Sequence, residues 1–322
     1  MVWIKILQWA VFLILLVFTF TAFPSYKAFY QSQFLPTVYE TKPVDTNPDS
    51  LYLKIKHYAD EHNVQPIDAK IDKVWKAIPG YNGLTINVKA SYEKQKKAKA
   101  FRPDRLIYEE VSPSIHLSDL QPAPIFRGNP KKPMVALAFD VADGEEDIPK
   151  ILNILSQANV SATFYLDGDW VKKHAELALM ISDEGHEIGN YSLTQEDLST
   201  QSKEEMVTKI NKTNDIIEAT LDVTPKWFTP PMGKYNQQML NVAYSLNLMT
   251  TLWTIDAGDG NSGQPTSMVR RVANEVESGS IIRFSPTEST VKALEMIIGS
   301  IKKKGFQLGT LSELTNENRI DN

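Results

Sequence analysis

Between residues 135 and 310 the chain repeats one unit, a short apolar strand followed by a segment with helical spacing. Strands are predicted over residues 135–141, 162–166, 187–192, 226–230, 250–255, 280–284 and 306–310. Helices are predicted between them, over 148–155, 171–183, 204–220, 237–246, 267–276 and 291–304. Strands that alternate with helices of this length build a parallel sheet, because each crossover must return the chain to the same edge. The expectation is therefore an α/β fold, an irregular (β/α)7-type barrel. Chemistry in such barrels collects at the carboxyl ends of the strands. That directs attention to residues 140–147, 190–197, 229–235, 256–260 and 285–286.

Composition removes several function classes. The chain has 322 residues, 42% of them hydrophobic, which is enough for a sizeable core. A formal charge of -5 argues against a nucleic-acid partner. With no cysteine there is no disulfide, thiolate metal site or cysteine nucleophile. Residues 6–23 form an apolar run broken only by Gln8, with Lys5 before it and Lys27 after it. A basic flank ahead of such a run is an export signal, and its length is close to the roughly 20 residues that span a bilayer. Residues 1–27 are read as an uncleaved, single-pass anchor with the rest of the chain outside the cell membrane. A cleaved signal peptide, giving a secreted protein, is the alternative. Such a chain fits a Gram-positive envelope.

The rest divides at composition shifts. Residues 28–49, with Pro36, Pro43 and Pro48, read as a linker. Residues 50–131 read as a small α+β domain. It would hold a helix over 50–63, turns at Pro79-Gly80 and Asn82-Gly83, and a strand through Leu84, Ile86 and Val88. Lys94, Lys96, Lys97, Lys99, Arg102 and Arg105 make a basic stretch, read as a solvated face in preference to a contact for anionic polymer or headgroups. Residues 112–132 look like an ordered, proline-rich connection. Residues 132–314 carry the strand–helix repeat and 315–322 are a tail.

Five segments lie at the strand ends in order: "VALAFD", "GHEIGNYSLTQEDL", "WFTPPMGKYN", "LWTIDAGD" and "GSIIRFSP". Together they resemble the five motifs of the NodB-homology polysaccharide deacetylases, carbohydrate esterase family 4, over roughly residues 132–314. "IDKVWKAIPGYNGL" and "LSDLQPAPIFRGNPKKPMVA" extend the likeness upstream, to the YlxY-type, sporulation-associated branch. The resemblance implies a NodB barrel and an amide hydrolase of cell-wall carbohydrate metabolism. It further implies a divalent metal such as zinc on one Asp and two His, a general-base Asp and a late general-acid His. Such an ion lowers the pKa of bound water and stabilises an oxyanion.

Matched position by position, the chain departs from that pattern. Asp140 keeps the base position, but the metal positions fall on Val141, Tyr191 and Gln195. The Arg before Pro230 and Pro231 is Thr229. Asp256 and Asp259 remain, with Gly260 in place of Trp. The general-acid position is Ser285, and an apolar pocket position is Arg283. A valine has no donor, a phenol with pKa about 10 and a neutral amide bind zinc poorly, and a serine cannot replace an acid worth roughly 10²–10⁴-fold. No cofactor is expected. Asp143, Glu145, Glu146 and Asp147, with Asp140, Asp256 and Asp259, could serve a hard cation such as Mg²⁺ or Ca²⁺, but the acidic run after the first strand is read as a helix amino terminus. His186 is read as structural and His174 as solvated. His57, His62 and His116 lie outside the barrel and are given no metal. Trp227, Phe228, Tyr235 and Trp253 are candidate sugar platforms, with core packing the plainer role. Arg283 is expected to fill part of the former acetyl pocket, beside a groove lined by Pro230, Pro231 and Trp253.

The preferred function is a membrane-tethered, non-catalytic or nearly non-catalytic family member that binds wall glycan such as peptidoglycan or acts as a scaffold. An active N-deacetylase of peptidoglycan or chitin-like glycan with a non-standard site is the alternative. A protein-partner role or a different chemistry on the same scaffold is a third reading.

Overall fold

A computed structural model describes residues 49–258 and 264–320. The apolar run at 6–23, Asp259 and Gly260 lie outside the described residues. Among those that are described, no helix is long and apolar enough to cross a membrane. Residues 54–322 group as one unit.

The amino-terminal part contains helix α1 (Ser50–His62), a hairpin of β1 (Lys70–Asp72) and β2 (Lys76–Ile78), and an antiparallel pair of β3 (Gly83–Ile86) and β4 (Tyr108–Val111). Helix α2 (Val88–Gln95) lies between β3 and β4. Asn87 caps it by accepting from the Ala90 amide at 2.8 Å, so the strand expected through Val88 stops at Ile86.

The repeat then begins: β5 (Met134–Val141), α3 (Ile148–Ala158), β6 (Thr163–Leu166), α4 (Gly168–Lys173), α5 (Ala175–Asp183), β7 (Glu187–Asn190) and α6 (Lys203–Leu221). It continues with β8 (Trp227–Phe228), α7 (Gln237–Ser245), β9 (Met249–Thr250), β10 (Ile255–Asp256), α8 (Pro265–Glu275), β11 (Ile281–Phe284), α9 (Glu288–Lys303), β12 (Gln307–Gly309) and α10 (Leu311–Thr315). The strands form one wholly parallel sheet in the order β10-β11-β5-β6-β7-β8-β9, with β12 also on β5. The sheet is a half-barrel.

Two expected elements are split. The helix over 171–183 breaks at His174, whose backbone (φ -131°, ψ 45°) is not helical. The strand over 250–255 becomes β9 and β10 because the backbone changes partner along it. Thr251 donates to Phe228 O, Leu252 to Ile125 O and Thr254 to Ile281 O. Ile125 of the proline-rich connection thus sits beside the sheet where a continuous strand was expected.

Alternation along the strands sorts their side chains into two cores. In β5, Val135, Leu137, Phe139 and Val141 face the outer core under the helices, while Met134, Ala136 and Ala138 face the inner one. In β11, Ile282 and Phe284 face out and Ile281 faces in. Ala77, Ile125, Leu311 and Leu314 join the inner core. By this period of two, Asp140 and Arg283 are inward-facing residues at the top of adjacent strands.

Candidate functional site

The β5–β11–β10 register places the first three site residues. Arg283 pairs with Ala138 on one side, two residues below Asp140, and with Asp256 on the other. Its Nε donates to Asp140 Oδ2 at 2.6 Å and its Nη1 to Asp256 Oδ2 at 3.3 Å. Its guanidinium lies over the Trp253 ring, 5.0 Å from the centroid. Trp253 is seated by Gly233, at φ 68°, where an added Cβ would come within 2.6 Å of the indole.

Tyr191 reaches the same cluster from the end of β7. The turn after it is sharp. Ser192 adopts φ 70°, its amide donates to Asn190 Oδ1 at 2.7 Å, and its carbonyl accepts from Gly168 N at 3.0 Å. The Tyr191 hydroxyl is hydrogen-bonded with both Arg283 and Asp140. Burial, and next the charge of Asp140, push its pKa well above that of an ordinary tyrosine, so the phenol stays protonated. Burial opposes the charge on Arg283, but the charge and hydrogen bond of Asp140 outweigh it and hold the guanidinium more firmly protonated than usual. Below this layer, the Tyr165 ring fits against Gly189, where a Cβ would come within 2.4 Å of it, and its hydroxyl meets Thr251.

The remaining expected site residues are placed differently. Gln195 donates to Asp167 Oδ2 at 3.1 Å. The other oxygen of Asp167 caps α4 through the amides of Asp169 and Trp170, and burial raises the pKa of this carboxyl. Sequence reasoning missed Asp167 as the partner of Gln195, since an Asp before a helix reads as a cap and nothing more. The Ser285 carbonyl accepts from the Thr287 amide and the Thr290 hydroxyl at the start of α9. Pro230 and Pro231 are buried, and the Pro230 carbonyl accepts from Gly233 at 2.9 Å. They shape the turn under Trp253 rather than line an open groove.

Two of the four aromatic candidates are core residues. Trp227 is buried with its indole N–H on Glu187 and Ser312, and Phe228 is fully buried. Tyr235 packs edge-on against Phe126, and Trp253 lies under Arg283. His174, expected to be solvated, stands 3.1 Å from Glu145, which also accepts from the Trp170 indole. Asp147 pairs with Lys150 at 2.8 Å.

These donors do not fit the divalent ion that the family motifs imply. Val141 faces the outer core, Tyr191 is a protonated phenol within a hydrogen-bonded set, and the Gln195 amide is committed to Asp167. A guanidinium already stands against Asp140. Among the described residues no three His, Asp or Glu side chains converge as a metal site would need.

Comparisons with known proteins place this geometry. Residues 127–251 match the family described as Polysaccharide deacetylase. The protein YlxY of Bacillus subtilis is 43% identical over 281 residues, 87% of this chain and 88% of YlxY. The chain belongs to the polysaccharide deacetylase family. It shares 41% identity and a TM-score of 0.78 with the crystal structure of BA3943, a carbohydrate esterase family 4 pseudoenzyme from Bacillus anthracis, over 84% of this chain and 96% of that one. A mutant of BA3943 described as having restored enzymatic activity gives the same identity and TM-score. A peptidoglycan-N-acetylglucosamine deacetylase of Bacillus cereus is 32% identical over 59% of this chain and 70% of its own length.

Proposed function

We propose that this polysaccharide deacetylase family member is held at the outer face of the cell membrane by its amino-terminal segment, binds wall glycan such as peptidoglycan, and does not deacetylate it at a useful rate. The observation that carries the reading is the Arg283 guanidinium, 2.6 Å from Asp140 at the base position, in a site whose ligand positions are Val141, Tyr191 and Gln195. Amide hydrolysis here would need an activated water, a stabilised oxyanion and an acid for the departing amine. Asp140 is instead paired with a cation, and Ser285 cannot supply the proton. The pseudoenzyme named for BA3943 supports the reading by likeness, and the named substrates of the other relatives point to a peptidoglycan ligand.

The test incubates the purified chain with N-acetylated peptidoglycan sacculi and zinc. Co-sedimentation without acetate release is expected. Acetate release at the rate of the Bacillus cereus enzyme would establish the active alternative, and absence of co-sedimentation would favour a protein partner. For the tether, the chain should stay with membranes through alkaline extraction; its release would indicate a secreted protein.

A further inference from the structure

A carboxylate buried as deeply as Asp140, 5% exposed, needs a proton or a nearby cation. In the family motifs that cation would be a divalent ion, on positions that here are Val141, Tyr191 and Gln195. We infer that Arg283 has taken over the ion's electrostatic task, and that this tethered guanidinium, and not the lost ligands alone, bars a divalent cation from the site. The inference rests on the metal-free reading proposed above.

Three observations carry it. The guanidinium is fixed on several sides, by Asp140 through Nε, Asp256 through Nη1, the Trp253 ring and the Tyr191 hydroxyl. The β-register requires that position, since Arg283 is inward-facing and paired directly with Asp256. Finally, its side chain is only 19% exposed, so it cannot swing into solvent without uncovering Asp140, whose side chain is 4% exposed. A dication close enough to serve Asp140 would stand a few ångströms from this charge in partly buried surroundings, where repulsion reduces affinity by powers of ten. The sign of the site changes as well. One guanidinium against two carboxylates leaves it net negative, which repels an oxyanion and accepts a neutral or cationic amino sugar.

The experiment uses the full chain in mild detergent and zinc alone as the probe, with affinity read by competition against a chromogenic chelator. Four forms are compared: native; Val141→Asp/Tyr191→His/Gln195→His; the same triple variant with Arg283→Leu; and Arg283→Leu alone. The variant with all four changes should bind zinc at least a hundredfold more tightly than the triple variant, with native and Arg283→Leu binding neither well. Equal affinity in the triple and quadruple variants would overturn the inference and leave the metal-free reading standing. Tight zinc binding by the native chain would overturn that reading itself. Should the leucine variant misfold, Arg283→Gln in the triple background keeps a donor for Asp140 without the charge and carries the same expectation.

Discussion

At the carboxyl ends of the strands, Arg283 is held by two carboxylates from neighbouring strands. At the amino ends, two residues before β5, Lys132 is buried to 2% exposure and is held by carbonyl and amide oxygens. Its ammonium donates to the carbonyls of Glu313 and Asn316 and to the Asn316 side chain, at 2.5, 2.8 and 2.9 Å. His186, just before β7, is also buried, with Nδ1 accepting from the Ala162 amide. The upper cluster matches charge with charge and links side chains of different strands. The lower groups use polar atoms to tie backbone segments together. Replacing one member of the upper cluster leaves an opposite charge stranded, whereas replacing Lys132 or His186 leaves backbone groups without their partners.

The largest effect should therefore come from Arg283→Leu. It abandons Asp140 in a buried position, and breaking one side of a buried pair costs about 3–5 kcal/mol. Urea unfolding should show that loss, and Asp140→Asn combined with Arg283→Leu should recover most of it. A loss below about 1 kcal/mol would place the cluster with ordinary surface ion pairs and erase the distinction between the two ends.

The outline of the sheet was legible because "VALAFDV" and its successors are short, mostly apolar runs and the helical spacing between them is regular. The meeting of Arg283 with Asp140 was also within reach of the sequence, since an arginine at an apolar strand-end position must find an acid. What the sequence hid was long-range. The break between β9 and β10 depends on Ile125, more than 120 residues away, which takes two backbone bonds there. Gln195 was matched to a motif but is held by Asp167, an interaction set by the turn through Ser192. Core packing was the plainer reading of Trp227, and strand alternation does turn it inward, but its partner Glu187 lies 40 residues away. Residue type announced that these groups would be used; only the fold determined by what.

The next effect in size is an acid sensitivity of the lower end. Burial depresses the pKa of His186 from its ordinary value near 6.5 to about 4. Between those values the unfolded chain binds a proton that the folded chain refuses. Stability is thus fully present above pH 6.5 and falls as the pH drops towards 4, by on the order of 3 kcal/mol for this group. His186→Asn, which retains an acceptor for the Ala162 amide, should flatten the melting temperature across that window relative to the native chain. Parallel profiles for the two proteins would show that His186 does not govern the acid response.

The smallest effect expected is that of Lys132→Met. The change preserves length and packing but leaves the Glu313 and Asn316 carbonyls without their donor, at a cost of about 2 kcal/mol near neutral pH. The loss should be local. Beyond Asn316, the Glu317 carbonyl accepts from the Asn82 amide, and the Arg319 guanidinium donates to Asn82 O and lies over Tyr81. Amide hydrogen exchange should therefore quicken at Asn82 and at residues 316–319 while β5 and β11 keep their protection. The native lysine adds a pH signature of the same sign as that of His186, in a separate and more alkaline window. Burial lowers its pKa to about 8, against the pull of Glu313 and Glu110, so from pH 8 to about 10.5 the unfolded chain holds the extra proton and native stability rises with pH. Lys132→Met should lack that rise. If the variant instead loses protection evenly across both ends of the sheet, the lower polar groups are coupled to the upper cluster, and the two ends form a single cooperative unit.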